Sequence, residues 1–318
     1  MRSRFVVSVL SVGLMGSGAG VVSGQDYPNK PIRLITPAAG GGADFTARQI
    51  AQGISGPLGQ PVIVENRGGA LIQGELLSKT PPDGYGLVVS GSSLWVTPVL
   101  RKAPYDALDF SPITQIERSV YLIAVHPSVP VKSIKELIAL AKARPGELNY
   151  GSTAIGGPPH IAAELFKSLA GVNMVLVPYK GDAAAITALI SGEVQLVIFD
   201  SGLLAPHVKS GKLRALAVTS AQPSTLAPGL PTVAAAGLPG FEVTGSTALF
   251  APGKTPAAII NRLHQEVVRF LNQPGVKQRF LNAGAETVGN SPAEFAAIIR
   301  SDIARTVKVI KDAGLKID

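Results

Sequence analysis

The fold is decided by the stretch ITPAAGGGADFTARQIAQGI, residues 35–54, and by LNYGSTAIGGPPHIAAEL, residues 148–165. Each stretch reads as a short apolar strand, a loop of small residues and an amphipathic helix. The apolar residues of the first helix recur at helical spacing, at Ala47, Ile50, Ala51 and Ile54. Two such units in separate halves predict an α/β fold with parallel strands and a loop at the carboxyl end of each strand.

Apolar runs of strand length alternate with helical patterns along most of the chain, which indicates α/β architecture throughout. The runs predicted to be strands are residues 32–36, 61–65, 87–90, 121–125, 148–151, 174–178, 194–199 and 213–219. The chain has 318 residues, more than one typical domain of roughly 100–200 residues, so two lobes are expected.

The amino-acid composition excludes several classes of function. Cysteine is absent, so disulfides, thiolate metal sites, a cysteine nucleophile and a lipid-attachment cysteine are excluded. Charged residues make up 16% and hydrophobic residues 46%, which indicates a packed rather than a disordered chain. The net charge of +8 is scattered and aromatic residues make up only 5%, so we expect no nucleic-acid surface. A mildly positive field instead attracts anionic solutes.

Residues 1–24 have the pattern of a secretory signal. Arg2 and Arg4 precede the apolar run 5–14, and Val22-Ser23-Gly24 resembles a cleavage site near Gly24. The run is shorter than the ~20 residues that span a bilayer. With no cysteine for lipid attachment, we expect a protein that diffuses freely in a bacterial periplasm.

The two loops of small residues, 38–44 and 151–157, predict an anion site. The first four N–H groups of a helix lack partners within the helix, and the helix dipole adds about half a positive charge there. Glycine allows a ligand to approach the backbone closely, so a carboxylate or phosphate is the expected guest. Asp44 is expected to be the N-cap of its helix. For His160, a capping or packing role and ligand contact both stay open.

The sequence gives little support for catalysis or for metal binding. The four histidines lack metal-ligand spacing, and no G-x-S-x-G nucleophile motif occurs. A triad of His160, Asp200 and Ser201 would need the fold to bring them together, and Asp200 more readily orients loops or accepts a hydrogen bond from a ligand. The expectation is a binding protein with no cofactor and no metal, and a hydrolase is kept as an alternative.

The chain resembles the substrate-binding proteins of tripartite tricarboxylate transporters, also called Bug-type receptors. The matching pieces occur in family order at 38–41 with Asp44, and at 59–67, 81–85, 125–128, 148–152, 177–181, 199–201, 211–219 and 230–233.

The resemblance implies a two-lobed type II periplasmic-binding-protein fold, each lobe a mainly parallel sheet flanked by helices. Residues 25–122 with 242–318 would form lobe 1, and 123–241 lobe 2. It also implies delivery of an organic carboxylate to a membrane permease, and we expect the chain to be a monomer. The ligand-binding residues carried over are Ala39, Gly40, Gly41, Gly42, Ala43, Asp44, Ser90, Ser92, Ser93, Ser152, Thr153, Ala154, His160, Tyr179, Lys180 and Asp200.

Departures from the family pattern bear on the ligand. Pro37 stands where the family usually has an aromatic residue, and Trp95 stands where a small residue is frequent. Loss of the aromatic side chain enlarges the expected pocket and favours a bulky guest, such as an aromatic dicarboxylate of the terephthalate kind. For Trp95, core packing is the alternative to ligand contact. A periplasmic sensor that presents the loaded protein to a signalling partner would use the same pocket.

Overall fold

The computed structural model describes residues 27–37, 39–152 and 158–313. The predicted signal segment 1–24 lies outside the described residues. The strands are β1 Ile32–Thr36, β2 Val62–Asn66, β3 Gly86–Gly91, β4 Ser111–Val125, β5 Asn149–Ser152, β6 Val175–Pro178, β7 Leu196–Asp200, β8 Arg214–Val218, β9 Thr244–Ala251 and β10 Glu286–Thr287. The helices are α1 Gly42–Leu58, α2 Ala70–Ser78, α3 Ser93–Leu100, α4 Ile134–Ala143, α5 Pro158–Ala170, α6 Asp182–Ser191, α7 Ser201–Lys209, α8 Ala257–Leu271, α9 Pro274–Asn282 and α10 Pro292–Ala313.

The first sheet, that of lobe 1, has the order β2-β1-β3-β9-β4-β10. Strands β2, β1 and β3 are parallel, whereas β9 is antiparallel to both β3 and β4. The short β10 pairs with β4 on the other side. This half is thus parallel at its outer edge and antiparallel where it meets the rest of the molecule.

The second sheet, that of lobe 2, has the order β8-β4-β7-β5-β6. Strands β6, β5 and β7 are parallel, and β4 runs antiparallel to β7 and β8. The two-lobed α/β class is therefore as predicted. Among the described strands, parallel pairing is confined to β2-β1-β3 and β7-β5-β6, and every strand pairing made by β4, β8, β9 and β10 is antiparallel.

Strand β4 belongs to both sheets. Its first ten residues pair with β9, and its last five, from Tyr121, pair with β7. Only this last part, 121–125, is predicted as a strand from the sequence. The earlier part contains two register irregularities, between Pro112 and Thr114 and between Gln115 and Glu117. Such bulges shift the alternation of side chains, so the period of two is lost from the sequence although the strand continues.

Each lobe has apolar cores on its sheet, and two elements contribute to the cores of both lobes. Ile113 and Ile116 of β4 lie in a core of lobe 1, and Ile123 lies in a core of lobe 2. Helix α10 likewise buries Phe295 in lobe 1 and Val309 in lobe 2. The lobes therefore share a strand and a helix, while the predicted boundaries at 122/123 and 241/242 stay predictions. None of the helices within the described residues is both long and apolar enough to cross a bilayer.

Two glycines of α1 form a matched pair for testing how tightly this helix packs on α8. A methyl group at Gly53 would collide with the ring of Phe270, whereas one at Gly56 would meet no atom within 4 Å. We expect Gly53→Ala to lower the free energy of unfolding by about 1–3 kcal/mol through overpacking. Gly56→Ala should raise it by about 0.5–1 kcal/mol through higher helix propensity. Urea unfolding checks both, and equal effects of the two variants would contradict this packing.

Candidate functional site

A cleft of about 1290 Å³ lies between the lobes, here called the interlobe cleft. Lobe 1 contributes Pro37, Gly42, Ala43, 91–93, 245–247 and, from the end of α9 and the turn after it, Gln278 and 281–285. Lobe 2 contributes Pro158, residues 200–203, 205, 206 and 209 of the β7–α7 segment, Thr225 and Leu226. The floor comes from β4, through Glu117, Ser119 and Tyr121.

Four helix N-termini meet at this cleft, two from each lobe. Helices α1, α3, α5 and α7 follow the parallel strands β1, β3, β5 and β7, so their first turns all lie at the carboxyl ends of strands. Neither α1 nor α3 has a side-chain hydrogen bond at its N-cap, Gly41 or Ser92. Their first N–H groups are therefore donors for a guest in the cleft.

The N-termini of lobe 2 differ. Helix α5 begins with Pro158 and Pro159, which have no N–H group, so His160 supplies its first amide. Helix α7 is capped by Asp200, which accepts a hydrogen bond from the Gly202 N–H at 2.9 Å. The open donors thus belong mainly to lobe 1.

Asp44 supports the loop that precedes α1. The helix begins at Gly42 with Gly41 as N-cap, so the prediction that Asp44 is the N-cap is wrong. Its buried carboxylate instead accepts hydrogen bonds from the Gly40 N–H at 3.0 Å, Asn66 Nδ2 at 2.8 Å and Arg48 Nε at 3.0 Å. These donors lower its pKa to about 2, the Arg48 hydrogen bond first.

The loop residues before α1 differ in position. Gly42 and Ala43 line the interlobe cleft, whereas Ala39, Gly40 and Gly41 are exposed beside it. Gly40 has a φ of 85°, a conformation that favours glycine. Asp44 fixes the turn through the Gly40 amide, which orients the first turn of α1 toward the cleft.

The predicted serines of lobe 1 separate into two groups. Ser92 and Ser93 line the interlobe cleft at the start of α3. Ser90 is buried behind them, where its hydroxyl donates to Gln73 Oε1 at 2.7 Å. Ser90 therefore supports the end of β3 and does not face the cleft.

Most of the predicted residues of lobe 2 are not brought to the cleft wall. Ser152 is buried at the end of β5, and its hydroxyl has no hydrogen-bond partner within the described residues. Tyr179 donates from its hydroxyl to Glu193 Oε1 at 2.7 Å, and Lys180 is exposed. The predicted Thr153 and Ala154 lie outside the described residues.

His160 belongs to a buried cluster around Glu164. Its Nε2 lies 3.8 Å from Glu164 Oε1, which also accepts hydrogen bonds from Tyr150 at 2.6 Å and Lys167 at 2.7 Å. Burial lowers the pKa of His160, so the neutral ring is favoured. Of His160, Asp200 and Ser201, only the last two line the cleft.

Sequence reasoning missed the floor of the cleft. Glu117, Ser119 and Tyr121 alternate along β4 and so share one face of the strand. Desolvation raises the pKa of Glu117 to about 7, and it also raises the pKa of Asp200. The E-R-S-V-Y spacing of 117–121 carries this signal, but the two bulges upstream conceal it.

A comparison with family models matches residues 46–315 to the tripartite tricarboxylate transporter family receptor, TctC. The chain belongs to this family. It is 34% identical to protein BugT of Bordetella pertussis over the full length of both chains. It is 32% identical to a UPF0065 protein of Pseudomonas sp. strain P51, covering 91% of this chain and 88% of that protein. The prediction of a receptor rather than an enzyme is confirmed, because this is a substrate-binding receptor family.

Solved structures agree on the fold. Rpa4515 of R. palustris with adipate is 37% identical, with a TM-score of 0.75 over 91% of this chain and 99% of that chain. MatC of Rhodopseudomonas palustris with bound malate is 28% identical, with a TM-score of 0.72 over 89% and 100%. A TctC solute-binding protein from Polaromonas without ligand is 25% identical but has a TM-score of 0.83 over 90% and 99%. All three share the fold of this TctC-family chain.

Asp44 provides a test of how the loop before α1 is held. Its pKa is lowered in the folded state to about 2, against about 3.9 for an ordinary aspartate. Its stabilising contribution is therefore complete above pH 4 and lost as the pH falls toward 2. We expect Asp44→Asn to lower the free energy of unfolding at pH 6, with the difference from wild type shrinking toward pH 2.

Urea unfolding across this pH range measures the effect. Asp109→Asn, at an exposed position, is the matched control. A difference between wild type and Asp44→Asn that is independent of pH would show that the charge of Asp44 does not hold the loop.

Proposed function

We propose that this protein captures a small organic carboxylate in the interlobe cleft and delivers it to the permease of a tripartite tricarboxylate transporter. One observation carries the proposal: uncapped helix N-termini of lobe 1 face the helix N-termini of lobe 2 across a single cleft. Such N–H groups bind anions. Adipate and malate, bound in two similar structures, are small carboxylates.

The energies require that the lobes close. A helix N-terminus contributes about 0.3–1 kcal/mol when exposed and up to about 2 kcal/mol when partly buried. A micromolar ligand needs about −8.2 kcal/mol. Two or three open N-termini therefore fall short, and removal of water by closure, together with the hydroxyls of Ser92, Ser93 and Ser201, supplies the remainder. A cleft of about 1290 Å³ leaves room for this closure.

The proposal also includes the size of the ligand, and in particular whether the ligand is aromatic. Trp95 is completely buried, and its indole N–H donates to Asp302 Oδ2 at 3.2 Å. It therefore belongs to the core of lobe 1 and gives no support to an aromatic guest. Pro37 does line the cleft, so an aromatic dicarboxylate such as terephthalate rests on Pro37 alone.

The location is also part of the proposal. The segment 1–24 has the pattern of a secretory signal, and BugD, a periplasmic binding protein, is 30% identical with a TM-score of 0.71. A periplasmic receptor without a cysteine for lipid attachment would carry its ligand by diffusion to the membrane.

A charge placed at the first turn of α1 tests the proposal. Ala43 lines the cleft in that turn, and Ala257 occupies the first turn of α8 at an exposed position. An aspartate is favourable in the first turn of either helix, so both Ala→Asp variants should stay folded. We expect Ala43→Asp to weaken carboxylate binding at least tenfold by repulsion, and Ala257→Asp to bind as wild type.

Thermal shift with adipate, malate and terephthalate measures binding. A ligand at a hundredfold excess over Kd should stabilise the protein by about 2.7 kcal/mol. If no carboxylate shifts the melting transition of the wild type, the proposal fails. Equal binding by the two Ala→Asp variants would place the ligand away from α1.

A further inference from the structure

The floor of the interlobe cleft carries two carboxyl groups from different strands. Glu117 on β4 lies opposite Thr247 of β9, and Tyr121 on β4 lies opposite Asp200 at the end of β7. Because Glu117, Ser119 and Tyr121 share one face of β4, the Glu117 carboxyl is directed to the same face of the sheet as Asp200. Desolvation raises the pKa of Glu117 most, and repulsion from Asp200 contributes to the raised pKa. All of these residues line the cleft.

Neither carboxyl interacts strongly with a cationic side chain of the described residues. The Thr247 hydroxyl donates to Glu117, and the Ser119 hydroxyl and the Gly202 N–H donate to Asp200. Arg118 pairs with Glu286 at 3.0 Å, on the opposite face of β4. Lys209 also lines the cleft, but it does not contribute to the pKa shift of either carboxyl.

Ser201 provides an independent sign of a missing partner. Its side chain is 1% exposed, lines the interlobe cleft, and has no hydrogen-bond partner for its hydroxyl within the described residues. A buried hydroxyl without a partner costs about 1–3 kcal/mol, so such groups normally meet a ligand or water. Ser201 follows Asp200 directly, which places this hydroxyl next to the acidic floor.

We propose that Glu117, Asp200 and Ser201 bind the ammonium group of an amino-substituted carboxylate whose carboxylate lies at the open helix N-termini. An ammonium group has three N–H donors, and this floor offers two carboxylates and one hydroxyl as acceptors. It also supplies the positive charge that the two partly buried carboxyls of this floor lack. The inference rests on the proposed function and narrows its ligand class to amino acids.

A second carboxylate of the ligand would be repelled at this floor. It would lie beside Glu117 and Asp200, and like charges in a partly desolvated site repel. A dicarboxylate without an amino group, such as terephthalate, is therefore disfavoured in any pose that brings one carboxylate to this floor.

The direction in which affinity changes with pH distinguishes an ammonium group at this floor from a second carboxylate. The groups that face Glu117 are Asp200 from β7, with Asp182 of α6 behind it, and Tyr121 from β4 itself. Among the described residues that line the cleft, Lys209 of α7 is the cation. With a pKa of about 7, Glu117 is mostly protonated at pH 6 and mostly ionised at pH 8. An ammonium ligand needs the ionised form, so its affinity should rise about tenfold from pH 6 to pH 8.

Matched ligand pairs test the inference by isothermal titration calorimetry. The pairs are adipate with 2-aminoadipate and succinate with aspartate, each measured on wild type, Glu117→Gln and Glu75→Gln. Glu75 lies on the exposed side of α2, ion-paired with Lys79, and is the control. We expect the amino ligand of at least one pair to bind wild type tenfold or more tightly than its partner, and Glu117→Gln alone to lose that preference.

The outcomes separate the two proposals. If the plain dicarboxylates bind as tightly as the amino ligands, or if affinity rises as the pH falls, the ammonium site is wrong while the carboxylate receptor stands. If Glu117→Gln keeps the preference, the ammonium group binds elsewhere. If no member of either pair binds wild type at any pH but malate or terephthalate does, the ammonium site is wrong; if none of these carboxylates binds, the carboxylate proposal itself fails.

Discussion

Hydrogen bonding along β4 is the constraint on which the rest of the molecule depends. This one strand pairs with β9 in lobe 1 and with β7 in lobe 2, so the two sheets are parts of a continuous ladder. The parallel strands on either side of it end at the same space between the lobes. The first turns of α1 and α3 then face those of α5 and α7, and the side chains of β4 form the surface between them.

The cleft combines two kinds of charge with different origins. Backbone dipoles at the helix starts give it positive potential that needs no basic side chain, while Glu117 and Asp200 make its floor acidic. A guest that carries both a carboxylate and a donor group would satisfy both regions at once. The orientation of such a guest is set by the protein, because reversing it would bring like charges together.

Much of the fold could be predicted from the sequence, since β1 is predicted to the residue and the helices α1 and α5 follow from their apolar spacing. Helices α3 and α7 could not be predicted, because each is short and contains a proline. Pro98 in α3 and Pro206 in α7 indicate the end of a helix when only the sequence is considered. The candidate site was predictable at the helix starts, as at Ala43 and Ser93, which line the cleft. It was not predictable at Glu117, since only the tertiary pairing of β4 shows which face of that strand is directed at the cleft.

Helix α10 has a mechanical consequence for a two-lobed receptor. Its first half is anchored among the aromatic side chains of lobe 1, near Phe295, and its second half reaches the core of lobe 2 at Val309. Any hinge rotation must therefore bend this helix or slide one of its ends. The outward positions Ser301, Ala304 and Val307 lie on a single stripe that follows that deformation. A change in the angle between the lobes would therefore alter the exposed face of α10 as well as the cleft.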